Sequence, residues 1–266
     1  MGFDAKKKLA CFLDSIGITD LLLNRLNKKH NNQYIRILNY HKTPESTAQN
    51  FEKQILWYKE RFDNINYAQF ETFMETGKLP GDKPGIMLTF DDGFKSNYTV
   101  AKEILEKHEM TGYFMVSSSR LNTKNYMTHE QIKDLSACGH VITDHTSTHH
   151  RMLKSDTEDI LTYEIAVSKL TLENILGTSV DIFTWVGGEE NYYTKSAYDF
   201  IKKSGFKYGF MTISTPVLKD TDHFLIHRSN IESNWDLNWV KFQLCGIESH
   251  NVKSKRKRVE KLMQDK

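Results

Sequence analysis

Short apolar runs and amphipathic stretches alternate along about 200 residues of this chain, with no Pro/Gly-rich linker between them. The apolar runs are 34–41, 86–90, 112–116, 140–143, 181–186, 208–212 and 224–231. The amphipathic stretches are 47–62, 67–76, 96–108, 128–138, 157–176, 194–204 and 235–245. Apolar runs of about four to eight residues are typical of buried strands, and strands that alternate with helices build parallel sheets. We therefore predict a parallel α/β domain, with enough strand–helix units to close into a barrel.

The charge distribution divides the chain into three parts. Lys and Arg total 36 and Asp and Glu total 34, but residues 1–30 carry a net charge of +3, residues 251–266 carry +5 and the remainder carries −6. We separate an amphipathic helical segment (1–33), a main domain (34–250) and a basic tail (251–266), which we expect to be a solvated helix end or disordered. An acidic main domain argues against a nucleic-acid partner, because a phosphate backbone requires basic side chains gathered on the folded surface.

The N-terminal segment has a helical apolar stripe beside a basic run. Apolar side chains stand at i, i+3, i+4 and i+7 within residues 9–16, next to Lys6, Lys7 and Lys8, and Gly17 interrupts the stripe. Two interpretations remain open: a terminal helix that packs on the main domain, and a basic amphipathic helix that lies on an anionic membrane surface.

Cysteine usage and hydropathy favour a cytoplasmic protein. Cys11, Cys138 and Cys245 are an odd number without paired spacing, which fits a reducing compartment better than a disulfide framework. Asp14 and Asp20 interrupt the N-terminal apolar positions, so we expect neither a signal peptide nor a membrane span there. We expect the chain to be cytoplasmic and at most peripheral to the inner face of the membrane.

Two adjacent carboxylates end the strand predicted at 86–90. Asp91 and Asp92 are followed by Gly93, and neighbouring carboxylates repel each other and are costly to desolvate unless a cation or a proton offsets them. One carboxylate can ligate a metal ion while the other accepts a proton from water. The alternative is a solvated Asp-Asp-Gly turn.

A histidine-rich segment follows the strand predicted at 140–143. His145 and His149 stand at i and i+4, a spacing that places both imidazoles on one face of a helical turn and suits two ligands of one divalent cation. With Asp92 as the third ligand, the coordination sphere retains an open position for water or substrate, as in catalytic sites. The alternative is a His-rich surface turn.

Together these two segments resemble the polysaccharide deacetylase family, the NodB-homology domains of carbohydrate esterase family four. The family's T-F-D-D-G motif stands at 89–93, its H-[ST]-x-x-H motif at 145–149, and its G-H-x-I stretch at 139–142. Further similarity is found at 39–41, 111–116 and 127–132, within a region of about 35–246. The resemblance implies a distorted (β/α) barrel of about seven strands with an extra N-terminal helix. It also implies that Asp91 is the catalytic base, that Asp92, His145 and His149 are the metal ligands, and that the cofactor is Zn²⁺ or a similar divalent ion.

The family's third motif, R-x-P-[YF]-G, is largely absent. The corresponding stretch is 183–188, where Thr184 stands at the arginine position and Val186 at the proline position. In the family this arginine holds the base aspartate, and a backbone N–H beside the glycine helps to stabilise the oxyanion. We therefore expect Gly187 to keep the backbone donor and the arginine's function to be lost, with an effect on rate or specificity.

The late strand and the tryptophans supply further candidates. The family's general-acid histidine lies near the end of a late strand, and His227 is the match; the alternative is a structural or substrate-contacting histidine. Trp185 is the candidate for stacking on a sugar ring, whereas Trp239 is expected in the core.

The expected activity is metal-dependent removal of N-acetyl groups from an N-acetylated sugar of a polysaccharide or glycan precursor, by metal-activated water with Asp91 as base. One alternative is a catalytically silent carbohydrate-binding domain that retains the metal site; the altered third motif favours it, and the intact Asp91 argues against it. Another is a metal-dependent hydrolase of a different amide or of an ester. We expect the substrate to be an N-acetylated glycan or a lipid-linked precursor. A lipid-linked precursor would be approached through the basic ends of the chain, which would contact the membrane peripherally.

Overall fold

Parallel strands form a closed barrel in this computed structural model, which describes residues 3–264. The strands are β1 (Ile35–Tyr40), β2 (Asp63–Asn64), β3 (Gly85–Phe90), β4 (Gly112–Val116), β5 (Val141–Asp144), β6 (Ile182–Thr184), β7 (Tyr208–Thr212) and β8 (Ile226–Asn230). They are ordered β1-β8-β7-β6-β5-β4-β3, and β1 also pairs with β3, from Ile35 opposite Gly85 to Tyr40 opposite Phe90. This pairing closes a seven-stranded ring, which confirms the predicted barrel; the two-residue β2 lies beside the start of β3.

The helices surround the ring. They are α1 (Phe3–Ser15), α2 (Ile18–Lys29), α3 (Ala48–Arg61), α4 (Tyr67–Thr76), α5 (Lys95–Lys107), α6 (His129–Ala137), α7 (Glu158–Leu161), α8 (Ser168–Leu176), α9 (Lys195–Lys203), α10 (Leu237–Leu244), α11 (Ile247–Asn251) and α12 (Lys253–Gln264). A π-helical segment, Thr162–Val167, joins α7 to α8. Side-chain caps mark several starts: α4 and α6 each begin with a capping box, from Asn66 with Gln69 and from Thr128 with Gln131.

Strand alternation separates two apolar clusters. Inward residues such as Ile37, Met87 and Phe210 fill the barrel and pack against Phe70 and other residues of α4. Outward residues of the same strands pack against the surrounding helices; they include Leu38, Leu88, Phe114 and Phe183. Because the side-chain period of a strand is two, the residue number along each strand decides whether a side chain enters the barrel or the outer layer.

The apolar stripe of the N-terminal segment is divided between two helices and between buried and exposed positions. Gly17, with φ 74°, separates α1 from α2. Ala10 is buried against α10, and Asp14 pairs with Lys241 of that helix. Phe12 lies on the opposite side and is 59% exposed. One face of α1 therefore packs on α10 of the main domain, as the first interpretation predicts, and another faces solvent; contact with a membrane stays a prediction.

The basic tail is largely helical and packed, in contrast to the solvated or disordered tail expected from its charge. Val259 and Met263 of α12 are buried in the outer apolar layer. Their spacing of four residues puts both on one helix face, so a helix with many charges is held by a narrow apolar seam. None of the helices within residues 3–264 combines the length and apolar character that a membrane span requires.

Candidate active site

Polar side chains from most of the strands meet at the carboxyl end of the barrel, where parallel α/β folds place their ligand sites. They line a cavity of about 150 Å³. The lining residues are Asn39, His41, Asp91, Asp92, His145, His149, Arg151, Gly187, Gly188, Thr212 and Asn230. The structure thus brings together five of the seven residues predicted from the sequence: Asp91, Asp92, His145, His149 and Gly187.

Asp92, His145 and His149 form a cluster with the geometry of a metal site. Their candidate ligand atoms all lie within 4.8 Å of one another. His149 Nε2 lies 2.7 Å and His145 Nε2 lies 3.7 Å from Asp92 Oδ1. Asp92 Oδ1 is buried without a hydrogen bond of regular geometry, as expected for an oxygen that is arranged to bind a cation. Two imidazole nitrogens and one carboxylate oxygen fit a divalent ion such as zinc with a position left open.

The second nitrogen of His145 fixes its ring. Nδ1 lies 3.0 Å from the Thr184 carbonyl and donates to it, so Nε2 carries its lone pair toward Asp92. Burial lowers the pKa of His145 to about 4, and its imidazole is therefore neutral at physiological pH. A neutral imidazole is the form that binds a metal ion.

The ligand loops have unusual backbone conformations. Asp92 and His149 have φ of 72° and 68°, and Thr146 between the two histidines has φ of 64°. Non-glycine residues pay a free-energy cost in this region, and such residues cluster where the surrounding structure enforces them for function. Glu164 of the π-helical segment supports the histidine loop, because its carboxylate accepts from Thr148 N (2.9 Å) and Thr148 Oγ1 (2.7 Å).

Asp91 is held by an arginine that the sequence analysis missed. Arg228 Nη1 donates to Asp91 Oδ1 (2.6 Å) and Arg228 Nη2 donates to Asp91 Oδ2 (3.0 Å), and Nη1 also contacts Thr89 Oγ1. Arg228 is 0% exposed. The expectation that the arginine's function is lost with Thr184 is therefore wrong: β8 supplies the guanidinium in place of β6. A bidentate fork of this kind fixes both oxygens of the carboxylate.

The same ion pair keeps Asp91 charged. Burial alone would raise the pKa of Asp91, but the Arg228 guanidinium outweighs this effect and holds the pKa below the usual range. An ionised carboxylate beside the Asp92, His145 and His149 group is able to accept a proton from water.

His227 does not reach this cavity. It precedes Arg228 on β8, so its side chain points to the outer layer, where it lines a separate cavity with Pro216, Arg256 and Glu260. Neither ring nitrogen makes a hydrogen bond of regular geometry, and burial lowers the pKa of His227 to about 3. A neutral imidazole on the far side of the strand is not placed to protonate a leaving group, and the assignment of His227 as general acid is corrected accordingly.

Trp185 is also displaced from its predicted role. It is 1% exposed, packs edge-on against Phe183 and Tyr193, and donates from Nε1 to the Phe224 carbonyl (3.2 Å). Its ring faces are enclosed by the outer layer, so it offers no surface on which a sugar can stack. As expected, Trp239 is buried.

Gly187 lines the cavity in the loop after β6. Its φ is 82°, in the region that favours glycine, and a Cβ there would lie 3.0 Å from Glu189 Oε2. Gly188 N–H donates to Glu189 Oε2 (3.0 Å), whereas within residues 3–264 the Gly187 N–H has no acceptor. The Gly187 amide is thus free to donate to a ligand.

His41 is a second functional candidate that the sequence analysis left without a role. It follows β1 and lines the cavity, with Nδ1 3.4 Å from Glu232 Oε1. Glu232 raises the pKa of His41 against the opposing effect of burial, and Asp91 adds to the rise. Its position directly after a strand was the available signal, the same one that identified Asp91 and His145.

Comparison with known proteins agrees with this architecture. The sequence profile of the polysaccharide deacetylase family matches residues 78–209. YxkH of Bacillus subtilis, which is named as a polysaccharide deacetylase, is 25% identical over 201 residues, covering 73% of this chain and 70% of YxkH. The peptidoglycan-N-acetylmuramic acid deacetylase PdaA of Bacillus subtilis is 26% identical over 133 residues, 48% of this chain and 45% of PdaA. The chain therefore spans less than half of PdaA.

Solved structures show the same fold. The deacetylase PplD of Streptococcus pyogenes superposes with a TM-score of 0.70 at 23% identity, covering 78% of this chain and 97% of PplD. IcaB from Ammonifex degensii superposes with a TM-score of 0.69 at 19% identity, covering 81% of this chain and 97% of IcaB. The sequence profile over residues 78–209, the barrel and the intact first two motifs are thus those of the polysaccharide deacetylase family.

Proposed function

We propose that this chain is a divalent-metal-dependent hydrolase that removes the N-acetyl group from an N-acetylated sugar of a polysaccharide or glycan precursor. The observation that carries the proposal is that two adjacent carboxylates have different partners. Asp92 belongs to the Asp-His-His cluster, whereas Asp91 is held beside it by Arg228 and stays ionised. A site that only bound a cation would have no use for the second, separately held carboxylate.

The N₂O donor set is the one that zinc accepts in catalytic sites. A divalent ion bound by Asp92, His145 and His149 would polarise the acetamide carbonyl and lower the pKa of water. The protein itself supplies the neutral imidazole of His145 and its fixed orientation, through the contact of His145 with the Thr184 carbonyl.

Asp91 accepts the proton of the water that attacks the carbonyl carbon. Arg228 prevents rotation of the carboxylate and keeps it ionised, so the base is ready before substrate binds. As the tetrahedral oxyanion develops, the Gly187 N–H donates to it.

His41 gives a proton to the departing nitrogen. Its raised pKa keeps the imidazolium populated at higher pH than an ordinary histidine, and its ring faces the same cavity as Asp91. The C–N bond then breaks to release acetate and a free amine, and His41 takes the role that the sequence assigned to His227.

The test is acetate release from N-acetylated oligosaccharides, with and without a chelator. The wild type is expected to release acetate only when a divalent metal is bound, and Asp91→Asn is expected to retain the metal and release none. A silent carbohydrate-binding domain would bind the oligosaccharide without releasing acetate from any variant. Release from acetyl esters but not from acetamides would instead support the ester hydrolase alternative.

The N-terminal helices support a peripheral membrane contact. Large apolar side chains at the α1–α2 turn face solvent; they are Leu9, Phe12, Ile16 and Leu21. Exposed Lys8, Arg25 and Lys28 lie on the same two helices. Apolar side chains flanked by lysines and arginines are suited to the interface of an anionic bilayer. These features support our proposal that the chain binds peripherally to the cytoplasmic face of the membrane and acts on a lipid-linked glycan precursor.

Vesicle sedimentation of two variants distinguishes a membrane contact through the N-terminal helices from a general effect of adding a negative charge. Phe12→Asp is expected to reduce binding to anionic vesicles strongly, whereas Leu56→Asp, a comparably exposed leucine at 53% on α3, is expected to bind like the wild type. Equal binding by both variants, or binding that does not depend on anionic lipid, would contradict the membrane contact.

A further inference from the structure

The C-terminal helix reaches the loop that carries the predicted oxyanion donor. Val259 and Met263 anchor α12 in the outer apolar layer. Two basic side chains of the same helix then extend to the loop after β6: Lys255 Nζ donates to the Gly188 carbonyl, and Arg258 forms a fork on Glu190 with distances of 2.8 to 3.1 Å. These contacts join residues more than sixty positions apart in sequence.

This loop requires external support because it contains two consecutive glycines. Gly187 and Gly188 have no Cβ, so their φ and ψ angles are the least restricted of any residue type. A backbone donor for an oxyanion stabilises the transition state only if it is already oriented when charge develops. The free energy for ordering such a pair therefore has to come from neighbouring groups.

The structure provides an anchor for each glycine carbonyl. The Tyr193 hydroxyl donates to the Gly187 carbonyl (3.3 Å), and Tyr193 is itself fixed by accepting from Thr212 N (3.1 Å). Lys255 donates to the Gly188 carbonyl and lies 5.7 Å from the centre of the Tyr193 ring. With both carbonyls held, the peptide plane between the two glycines and the plane that follows Gly188 cannot rotate. The Gly187 N–H lies in the preceding plane, so only the dihedral angles of Gly187 itself remain to change its direction.

We infer that Lys255 is a positioning residue of the active site, which acts through the Gly188 carbonyl to hold the Gly187 N–H toward the reacting carbonyl. This inference rests on the oxyanion role given to Gly187 in the proposed function. It assigns an intramolecular role to part of the basic C-terminal charge, which the sequence left unexplained.

Lys255 differs from its neighbours in the way this role requires. The Lys255 side chain is half-buried, and this burial lowers its pKa. The negative charges of Glu190 and Glu189 partly offset the lowering. An ammonium that loses water in this way costs free energy unless a partner compensates, and the Gly188 carbonyl is that partner. Lys257 on the same helix is exposed and pairs with no other side chain or carbonyl among residues 3–264.

The kinetic test compares Lys255→Met with Lys257→Met in the 266-residue chain. Lys255→Met is expected to lower kcat between about ten- and a hundredfold with KM and bound metal unchanged, because a small displacement of a catalytic group has effects of this size. Lys257→Met is expected to match the wild type, and Lys255→Arg to recover part of the rate. A wild-type kcat for Lys255→Met, or a loss confined to KM, would overturn the inference.

A second measurement does not depend on catalysis. Hydrogen–deuterium exchange of the peptide that covers residues 186–193 is expected to be faster in Lys255→Met and unchanged in Lys257→Met. Unchanged exchange in both variants would overturn the inference even if the enzyme is active. Inactivity of the wild type toward every acetylated substrate would contradict the proposed function alone, since the exchange comparison would still report on Lys255.

Discussion

At the scale of single residues, two adjacent side chains of β8 point to opposite sides of the strand. Arg228 enters the barrel and binds Asp91, whereas His227 faces the outer layer beside Arg256. The difference follows from the period of two along β8 and not from the chemistry of either side chain. His41, which follows β1, lines the cavity that His227 does not reach.

The two histidines should therefore respond differently to substitution. His41→Gln is expected to lower kcat by about 10² to 10⁴, the usual contribution of a general acid, and to remove the alkaline limb of the pH profile. That limb reports loss of the His41 proton, and it lies above the ordinary histidine pKa of 6.5 because the pKa of His41 is raised. His227→Gln is expected to stay within a few-fold of wild type; the reverse order of effects would reinstate His227.

At the scale of elements, the π-helical segment Thr162–Val167 supports the histidine loop. Glu164 accepts from Thr148 through its carboxylate, and its backbone carbonyl accepts from Ser147 N (3.0 Å). Single π-turns are uncommon within α-helices and are frequent near functional sites. Here the wider turn carries the carboxylate that holds the loop between the two histidine ligands.

Removal of this support should weaken metal binding without changing a ligand. Glu164→Ala is expected to lower metal affinity by about 10- to 100-fold, as is typical when a group that orients the ligands is lost. Glu158→Ala is the control, because its exposed contact with Lys203 lies on the neighbouring helix α7. Titration with Zn²⁺ under competition from a chelator measures both; equal affinities would show that the loop holds its shape without Glu164.

At the scale of the whole molecule, the candidate metal site formed by Asp92, His145 and His149 joins strands that are distant in sequence. Asp92 follows β3, and His145 and His149 follow β5, with β4 between them in the sheet. An ion that binds the folded barrel and not the unfolded chain stabilises the entire fold by mass action.

Thermal unfolding should register this linkage. A metal concentration of about 100 times Kd is expected to add about 2.7 kcal/mol to the free energy of unfolding and to raise Tm. His149→Ala is expected to lose the metal-dependent rise, and His250→Ala, which changes an exposed histidine on α11, is expected to keep it. A rise of equal size in both variants would mean that the ion binds elsewhere.

The local sequence was sufficient to predict the strands, most of the helices and the two motifs that carry Asp91, Asp92, His145 and His149. Apolar periodicity reports on conformation and on which face is buried, and both depend on near neighbours in the chain. It predicted neither the packing of the basic tail nor the division of the N-terminal stripe into a packed and an exposed face.

Contacts between distant segments were decided only by the tertiary structure. Arg228 meets Asp91 across 137 positions of sequence, and Lys255 meets Gly188 across 67. Closure of the barrel brings the ends of all the strands to one rim, so a charge missing from one strand can be supplied by another. The sequence by itself determined which reactive groups the rim carries, and the closed barrel determined which of them face one another.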